Sequence, residues 1–381
     1  LAGLGIVLPI TLIVSAFAQL IGMGGAPRAA ICMGEGHYEK AEEILGNCTV
    51  MLIGASAALF VFFQALCDPL LMLFGASEQT LPYASTYLRI YLLGTFFVMV
   101  AMGLSAFITN QGYAKTSMAA TCLGAAMNLV LDPIFIFGLQ MGVAGAAWAT
   151  VISQGASALM ILLFLTGKHG YIHIRRKWFR LKRKLVLSIL SLGLSPFSMS
   201  ITECVVQLTY NISIVQYGDL YVALQSILFS LIQIVWMPLN GFAQGASPII
   251  SYNYGAGRLD RARQTFRLLL LVDVIFAVGV VGFIELFPAA VLHIFSGNAE
   301  LHALGTLPLR VYILGMAAMG VQSACQNTFL ALGQAKISMF LACLRKLFLI
   351  WPLALILPHL FGLGSGACFW PSPSPISPPP R

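Results

Sequence analysis

Asp132 is the residue of this chain best placed to do chemistry. It stands in a long apolar stretch, Asn128 lies one helical turn before it on the same face, and Pro133 follows at once. Proline donates no backbone hydrogen bond and its ring disturbs the carbonyl of Leu129, so this turn offers a carboxylate, an amide oxygen and a freed carbonyl to a hard cation. The plainer role of an Asp-Pro pair is to close a helix near a membrane surface. Thr150 joins the set through geometry. The stretches 116–138 and 143–166 read as a tight helical hairpin, in which residues equidistant from the turn lie at equal depth. Asp132 and Thr150 both fall about 9 to 10 Å below the surface at 1.5 Å per residue. A desolvated carboxylate there takes up either a proton or Na⁺, so Asp132, Asn128 and Thr150 form the candidate cation site.

Other ionisable residues occur inside apolar stretches, where charge is costly and faces a cavity or a partner. Glu203 and Asp273 are candidate acids of the second half, while Glu285 lies near the end of its span and reads as solvated. Arg89 and Arg310 read as snorkelling to headgroups, and Arg345 and Lys346 either do the same or line a cavity. Gln207, Asn211, Gln225, Gln233, Asn240 and Gln244 serve as glue between helices or as a polar wall. Phe96, Phe97, Met99 and Met102 are core or lipid contacts, or an adaptable apolar wall.

Several chemistries are missing. No H-E-x-x-H or G-x-S-x-G constellation occurs, so no enzyme is read here. Without a phosphate-binding loop, and with no cytoplasmic segment large enough for a nucleotide-binding domain, a primary pump is disfavoured. The eight cysteines are scattered with no Cys-x-x-Cys, and the six histidines are equally dispersed, so neither a disulfide framework nor a zinc site is indicated. No cofactor is expected beyond a coupling ion.

The elements that hold these residues are membrane helices. Of 381 residues 59% are hydrophobic and 9% charged, with a mean hydropathy of +0.89, whereas a soluble domain carries about 25% charged residues. Stretches of spanning length, about 20 residues, occur at roughly 1–21, 46–66, 84–109, 116–138, 143–166, 185–214, 219–243, 266–287, 305–330 and 337–361. Between the fifth and sixth lies Lys168 to Lys184, with eight Lys or Arg and no acid. Flanked by spans, that run is a topology anchor rather than a nucleic-acid patch. Alternate loops hold sixteen Lys and Arg and the opposite loops none, which places the basic loops in the cytoplasm of a multi-pass cell-membrane protein.

The halves are copies at a constant offset of 221. Gly24, Pro27, Gly34, Gly36 and Ala41 recur as Gly245, Pro248, Gly255, Gly257 and Ala262. Leu88, Arg89, Tyr91, Leu93 and Gly94 recur as Leu309, Arg310, Tyr312, Leu314 and Gly315. Gly112, Ala114, Lys115, Ser117 and Met118 recur as Gly333, Ala335, Lys336, Ser338 and Met339. Equivalent spans are six apart, so both copies cross in the same direction, a parallel repeat. The expected fold is an all-α polytopic membrane protein of two six-helix lobes with about ten of twelve helices present. The first helix of one lobe and the last of the other are read as missing. The expected divisions are an amino-terminal lobe at 1–167, a basic linker at 168–184, a carboxy-terminal lobe at 185–365 and a Pro-rich tail at 366–381.

Several segments together resemble the multidrug and toxic compound extrusion (MATE) transporters over nearly all of residues 1–365. They are Gly34-Glu35-Gly36 with Lys40-Ala41-Glu42-Glu43, the segment from Asp68 to Glu78, Asn128-Leu-Val-Leu-Asp132-Pro133, the run Gly145 to Ser153, and Pro248 to Gly255. The resemblance implies a two-lobe antiporter that exports organic cations or related amphipathic compounds against Na⁺ or H⁺ by alternating access. It matches Asn128, Asp132 and Thr150 to the family's amino-terminal-lobe cation site, and Glu203 to an acid that some branches use. The expected partners are drug-like small molecules and the bilayer, with no nucleic acid, and the chain is expected to be a monomer. The alternatives are a lipid-linked-glycan flippase of similar architecture, which would present basic residues to pyrophosphate, and a membrane-embedded enzyme.

Overall fold

The computed structural model describes residues 2–74, 80–215, 219–295 and 299–343. Their regular structure is helical, with no strand among the described residues. The helices are α1 (Ala2–Gly34), α2 (Tyr38–Ala65), α3 (Cys67–Leu73), α4 (Leu81–Leu93), α5 (Thr95–Asn110), α6 (Ala114–Pro133) and α7 (Gly142–Thr166). After the basic loop follow α8 (Arg183–Val215), α9 (Asp219–Gly255), α10 (Leu259–Leu286), α11 (Pro288–Phe295), α12 (Ala299–Leu314), α13 (Ala317–Ala331) and α14 (Ala335–Cys343). Seven helices are long and apolar enough to cross a membrane, or eight when the bent pair α4–α5 counts as one span, among the described residues.

Two expectations about span limits are corrected. The first span, read as 1–21, continues as one helix to Gly34, and α9 likewise runs on to Gly255. The interrupting residues, such as Pro27, do not stop these helices; the chain turns only at Gly36 and at its repeat equivalent Gly257, which adopt φ of +81° and +72°. The span read as 84–109 is two helices that meet at Gly94 with a bend of 55°. The second repeat breaks at the equivalent place, with α12 ending at Leu314 just before Gly315.

The chain forms two compact units. Unit 1 comprises Leu1–Ile201, Ser247–Leu259 and Leu330–Met339; unit 2 comprises Thr202–Ala246, Asp260–Phe329 and Phe340–Arg381. In unit 1, α1 packs chiefly on α5 and α2, α6 pairs with α7, and α7 also packs on α4 and α5. Small residues let these backbones approach: a Cβ on Gly22 would stand 2.5 Å from the Gly103 carbonyl oxygen. The core runs from Ile10 and Leu45 through Leu52, Leu88, Met99 and Phe107 to Ile189. Unit 2 has its own core of Leu228, Val235, Leu239, Leu292, Leu309 and Ile313.

Within unit 1 the two repeats meet at matching residues. A Cβ on Gly34 of α1 would overlap the carbonyl oxygen of Tyr252, and one on Gly255 of α9 would overlap that of Ile31. Ile31 and Tyr252 are themselves 221 apart, as are Gly34 and Gly255. The crossing is therefore self-complementary: residue i touches the equivalent of j, and j that of i, as across a two-fold axis.

The basic loop is clamped to unit 1. Gln111, at the end of α5, accepts hydrogen bonds through Oε1 from the backbone N–H groups of Tyr171 (2.8 Å) and Ile172 (3.1 Å), and Ile172 is fully buried. Glu42, with a side chain only 7% exposed, accepts from Trp178 Nε1 at 3.2 Å and Arg175 Nε at 3.0 Å, and His173 Nδ1 stands 3.7 Å away. Asn47 Oδ1 accepts from the Lys182 backbone N–H at 3.0 Å, and Lys182 pairs with Glu43. Arg175, Lys177 and Lys182 of the loop are thus paired with Glu42, Glu39 and Glu43 at the start of α2.

Candidate functional site

The helical hairpin α6–α7 carries the three residues Asn128, Asp132 and Thr150. After Pro133, α6 widens into a π-helical turn, Ile134–Gly138, closed by the Leu139 N–H donating to the Ile134 carbonyl at 2.8 Å. Widening is the expected response to a proline that withdraws one donor and pushes on the preceding carbonyl. The chain reverses through Gln140 and Gly142, both at positive φ. Gly145 packs on the Phe135 carbonyl, and Ser157 Oγ donates to the Ala120 carbonyl at 2.8 Å. That register brings Thr150 level with the turn that carries Asp132, as the hairpin arithmetic expects.

The side chains converge at the end of unit 1 remote from the basic loop. Asn128 Nδ2 donates to Asp132 Oδ1 over a long 3.4 Å, and Thr150 Oγ1 donates to the Ala146 carbonyl at 2.9 Å. All three are half-buried. Tyr87 of α4 lies beside Thr150 and Asp132. No spacing in the sequence points to Tyr87, because its place beside the hairpin is a contact between distant helices. Tyr87 stacks on Tyr91 with ring centroids 6.2 Å apart, and that aromatic pair stiffens its position.

The donors are a carboxylate, a hydroxyl, a phenol and an amide, all hard oxygen ligands apart from the amide nitrogen. This set fits Na⁺ or a proton and does not fit a soft transition metal. Asn128 gives its Nδ2 to Asp132, and its Oδ1 is the atom that would ligate a cation. No group of three or more His, Cys, Asp or Glu stands together among the described residues.

Of the second-half candidates only Asp273 has a described side chain. Asp273 belongs to unit 2, where it is completely buried on α10, and the side chain of Glu203 lies outside the described residues, as do Arg345 and Lys346. Arg89 does not stand alone: its Nη2 meets Asp68 Oδ2 at 2.9 Å, and Ser85 Oγ donates to Asp68 Oδ1 at 2.8 Å. Arg310 faces Glu285 at 3.8 Å, so the acid expected to be solvated is a half-buried partner. Met99 is core, while Met102 is 43% exposed.

A family model described as MatE matches residues 1–134 and 197–356. The chain belongs to the MatE family. It is accordingly a multi-pass membrane protein of a transporter family and not an enzyme. Its relatives include multidrug export protein MepA of Staphylococcus haemolyticus, 26% identical over 364 residues that make up 95% of this chain and 80% of that protein. The MepA protein of Staphylococcus saprophyticus is also 26% identical, over 370 residues with the same coverage. Among solved structures, the MATE multidrug transporter DinF-BH, determined with a ligand bound, is 33% identical with a TM-score of 0.89 and covers 97% of this chain and 82% of its own. A MOP superfamily transporter from Pyrococcus furiosus shares the fold, with a TM-score of 0.89 at 23% identity, covering 97% of this chain and 83% of its own.

Proposed function

We propose that this MatE-family chain is a secondary multidrug exporter that expels organic cations or other amphipathic compounds in exchange for Na⁺ or H⁺. The observation that carries the reading is the meeting of Asp132, Asn128, Thr150 and Tyr87 in a chain similar over 95% of its length to multidrug export proteins. An ion on Asp132 changes the charge of one helical hairpin. If the hairpin's access to water differs between two conformations, ion occupancy biases one of them, and that bias links ion entry to drug release. The lobes that alternate are residues 1–167 and 185–365, joined by the linker at 168–184, in a monomer that needs no nucleic acid. The basic loops face the cytoplasm.

The test is transport by the reconstituted chain of a cationic fluorescent dye against its gradient, driven by Na⁺ or by H⁺ in separate arms. Asp132→Asn keeps the shape of the side chain and is expected to lower ion-driven export to the leak rate, while Thr150→Ala weakens Na⁺-driven export more than H⁺-driven export. Export by Asp132→Asn at the wild-type rate would place the coupling site elsewhere, with Glu203 next to test. For sidedness, with the native cysteines replaced, outside labelling is expected to modify Ser77→Cys and spare Arg176→Cys. The reverse pattern would invert the topology.

A further inference from the structure

Unit 2 contains a carboxylate that no countercharge answers among the described residues. Asp273 is 0% exposed, and neither of its oxygens has a hydrogen-bond partner. It stands at a close approach of α10 and α13: a Cβ on Gly320 would lie 2.6 Å from the Asp273 carbonyl oxygen. One turn along α13 from that glycine is Ser323, 1% exposed, whose hydroxyl faces the carboxylate and is likewise left without a well-formed hydrogen bond. Three buried oxygens thus point into one place.

No countercharge reaches them among the described residues. On α13 the sole titratable residue is Cys325. The part of α9 from 223 to 251, which contributes Ala243 to the cluster beside Leu269 and Ala324, carries no charged or titratable side chain. On α10 itself the nearest charges are Arg267 toward one end and Glu285 toward the other, and Glu285 faces Arg310. A buried carboxylate without a partner is among the costliest arrangements a protein can hold. The repeat shows that the fold does not need it. The equivalent position in the first repeat is Leu52, fully buried against Gly103, and the equivalent of Gly320 is Met99, also fully buried in the same core. An apolar pair closes this crossing in one repeat, so the acid in the other serves something besides packing.

We propose that Asp273 and Ser323 form a second monovalent-cation site, separate from the Asp132 site, in which one positive charge is held by the Asp273 carboxylate and the Ser323 hydroxyl. A proton shared between carboxylate and hydroxyl satisfies all three oxygens, and Na⁺ accepts the same hard ligands. The charge is a single one, because one carboxylate is present and no second acid faces it among the described residues.

The experiment counts charges taken up by the whole chain in lipid nanodiscs, with ²²Na⁺ at fixed pH in one arm and with a pH indicator after a pH jump in Na⁺-free buffer in the other. Wild type, Asp132→Asn, Asp273→Asn and the double variant are compared. Asp273→Asn is expected to lose one charge per chain in one of the two arms, and to lose it equally in the Asp132→Asn background; the arm identifies the ion. Ser323→Ala, which keeps the charge, is expected to move the midpoint of that uptake about fivefold toward weaker binding. Asp273→Leu restores the residue of the other repeat and guards against a folding failure of the asparagine variant. Uptake by the Asp273 variants equal to wild type in both arms, or an unmoved midpoint in Ser323→Ala, would overturn the site. Loss in Asp132→Asn with none in Asp273→Asn removes this proposal alone, and the reverse removes only the Asp132 reading.

Discussion

The two repeats exchange acids. At one pair of equivalent positions the first repeat has Leu52 and the second Asp273; at another the first has Asp132 and the second Leu353. Asn128 likewise corresponds to Leu349. Each repeat therefore keeps an intramembrane carboxylate where its copy keeps leucine, although Arg89 and Arg310 or Gly34 and Gly255 have been retained in both. What was retained is architectural: turns, close crossings and a cation at the span end. What diverged is the polar interior, where one unpaired charge costs more than any packing detail. The contrast also extends to surroundings. Asp132 has Asn128, Thr150 and Tyr87 near it and is half-buried, whereas Asp273 is sealed with Ser323 alone among the described residues.

The hardest way to break this contrast is to put the acid in the wrong copy. Leu52→Asp removes a fully buried leucine and leaves a charge against Gly103 with no partner, at an expected cost on the order of 4 kcal/mol. Thermal unfolding in detergent reads this, and a cost under about 1 kcal/mol would mean that either copy tolerates the acid. Next come Gly34→Ala and Gly255→Ala, each of which drives a methyl group into a backbone carbonyl of the other repeat. Each is expected to cost about 2 to 3 kcal/mol, and by the same amount, because the crossing is two-fold. Unequal losses in melting temperature would show that the match of residues is not a match of energies.

Glu42→Gln tests a feature that the first repeat has without a counterpart among the described residues. It removes the charge that receives Arg175 and Trp178, at an expected cost of about 1.5 kcal/mol, and trypsin should then cut the loop between Arg175 and Arg183 faster. Unchanged cleavage would mean that Gln111 and Asn47 hold the loop by themselves. The smallest effect separates the retained arginines. Arg89→Ala breaks a 2.9 Å pair supported by Ser85 and is expected to cost about 0.5 to 1 kcal/mol, while Arg310→Ala loosens a 3.8 Å pair for a few tenths. Equal shifts in melting temperature would place both arginines at the headgroups, as snorkelling alone expects.

Features that depend on local periodicity or on repetition were legible in the bare chain. Hydropathy located the spans of the described residues, while most of the span read as 337–361 and the tail at 366–381 lie outside them; the offset of 221 paired Gly36 with Gly257, and counting from the turn levelled Thr150 with Asp132, because a helical hairpin converts residue number directly into depth. Helix ends were not legible in the same way, since Pro27 and the polar residues after it do not unwind a helix whose face is packed on α5. Contacts between distant helices emerged only in three dimensions: Tyr87 lies beside Thr150, Glu42 lies buried beneath Trp178 and Arg175, Gly34 touches the turn of Gly255, and Asp273 has Ser323 near it but no countercharge among the described residues. Those facts depend on which faces two distant helices turn toward each other, and spacing within one helix fixes a residue's height and side but carries no record of its neighbour across the gap.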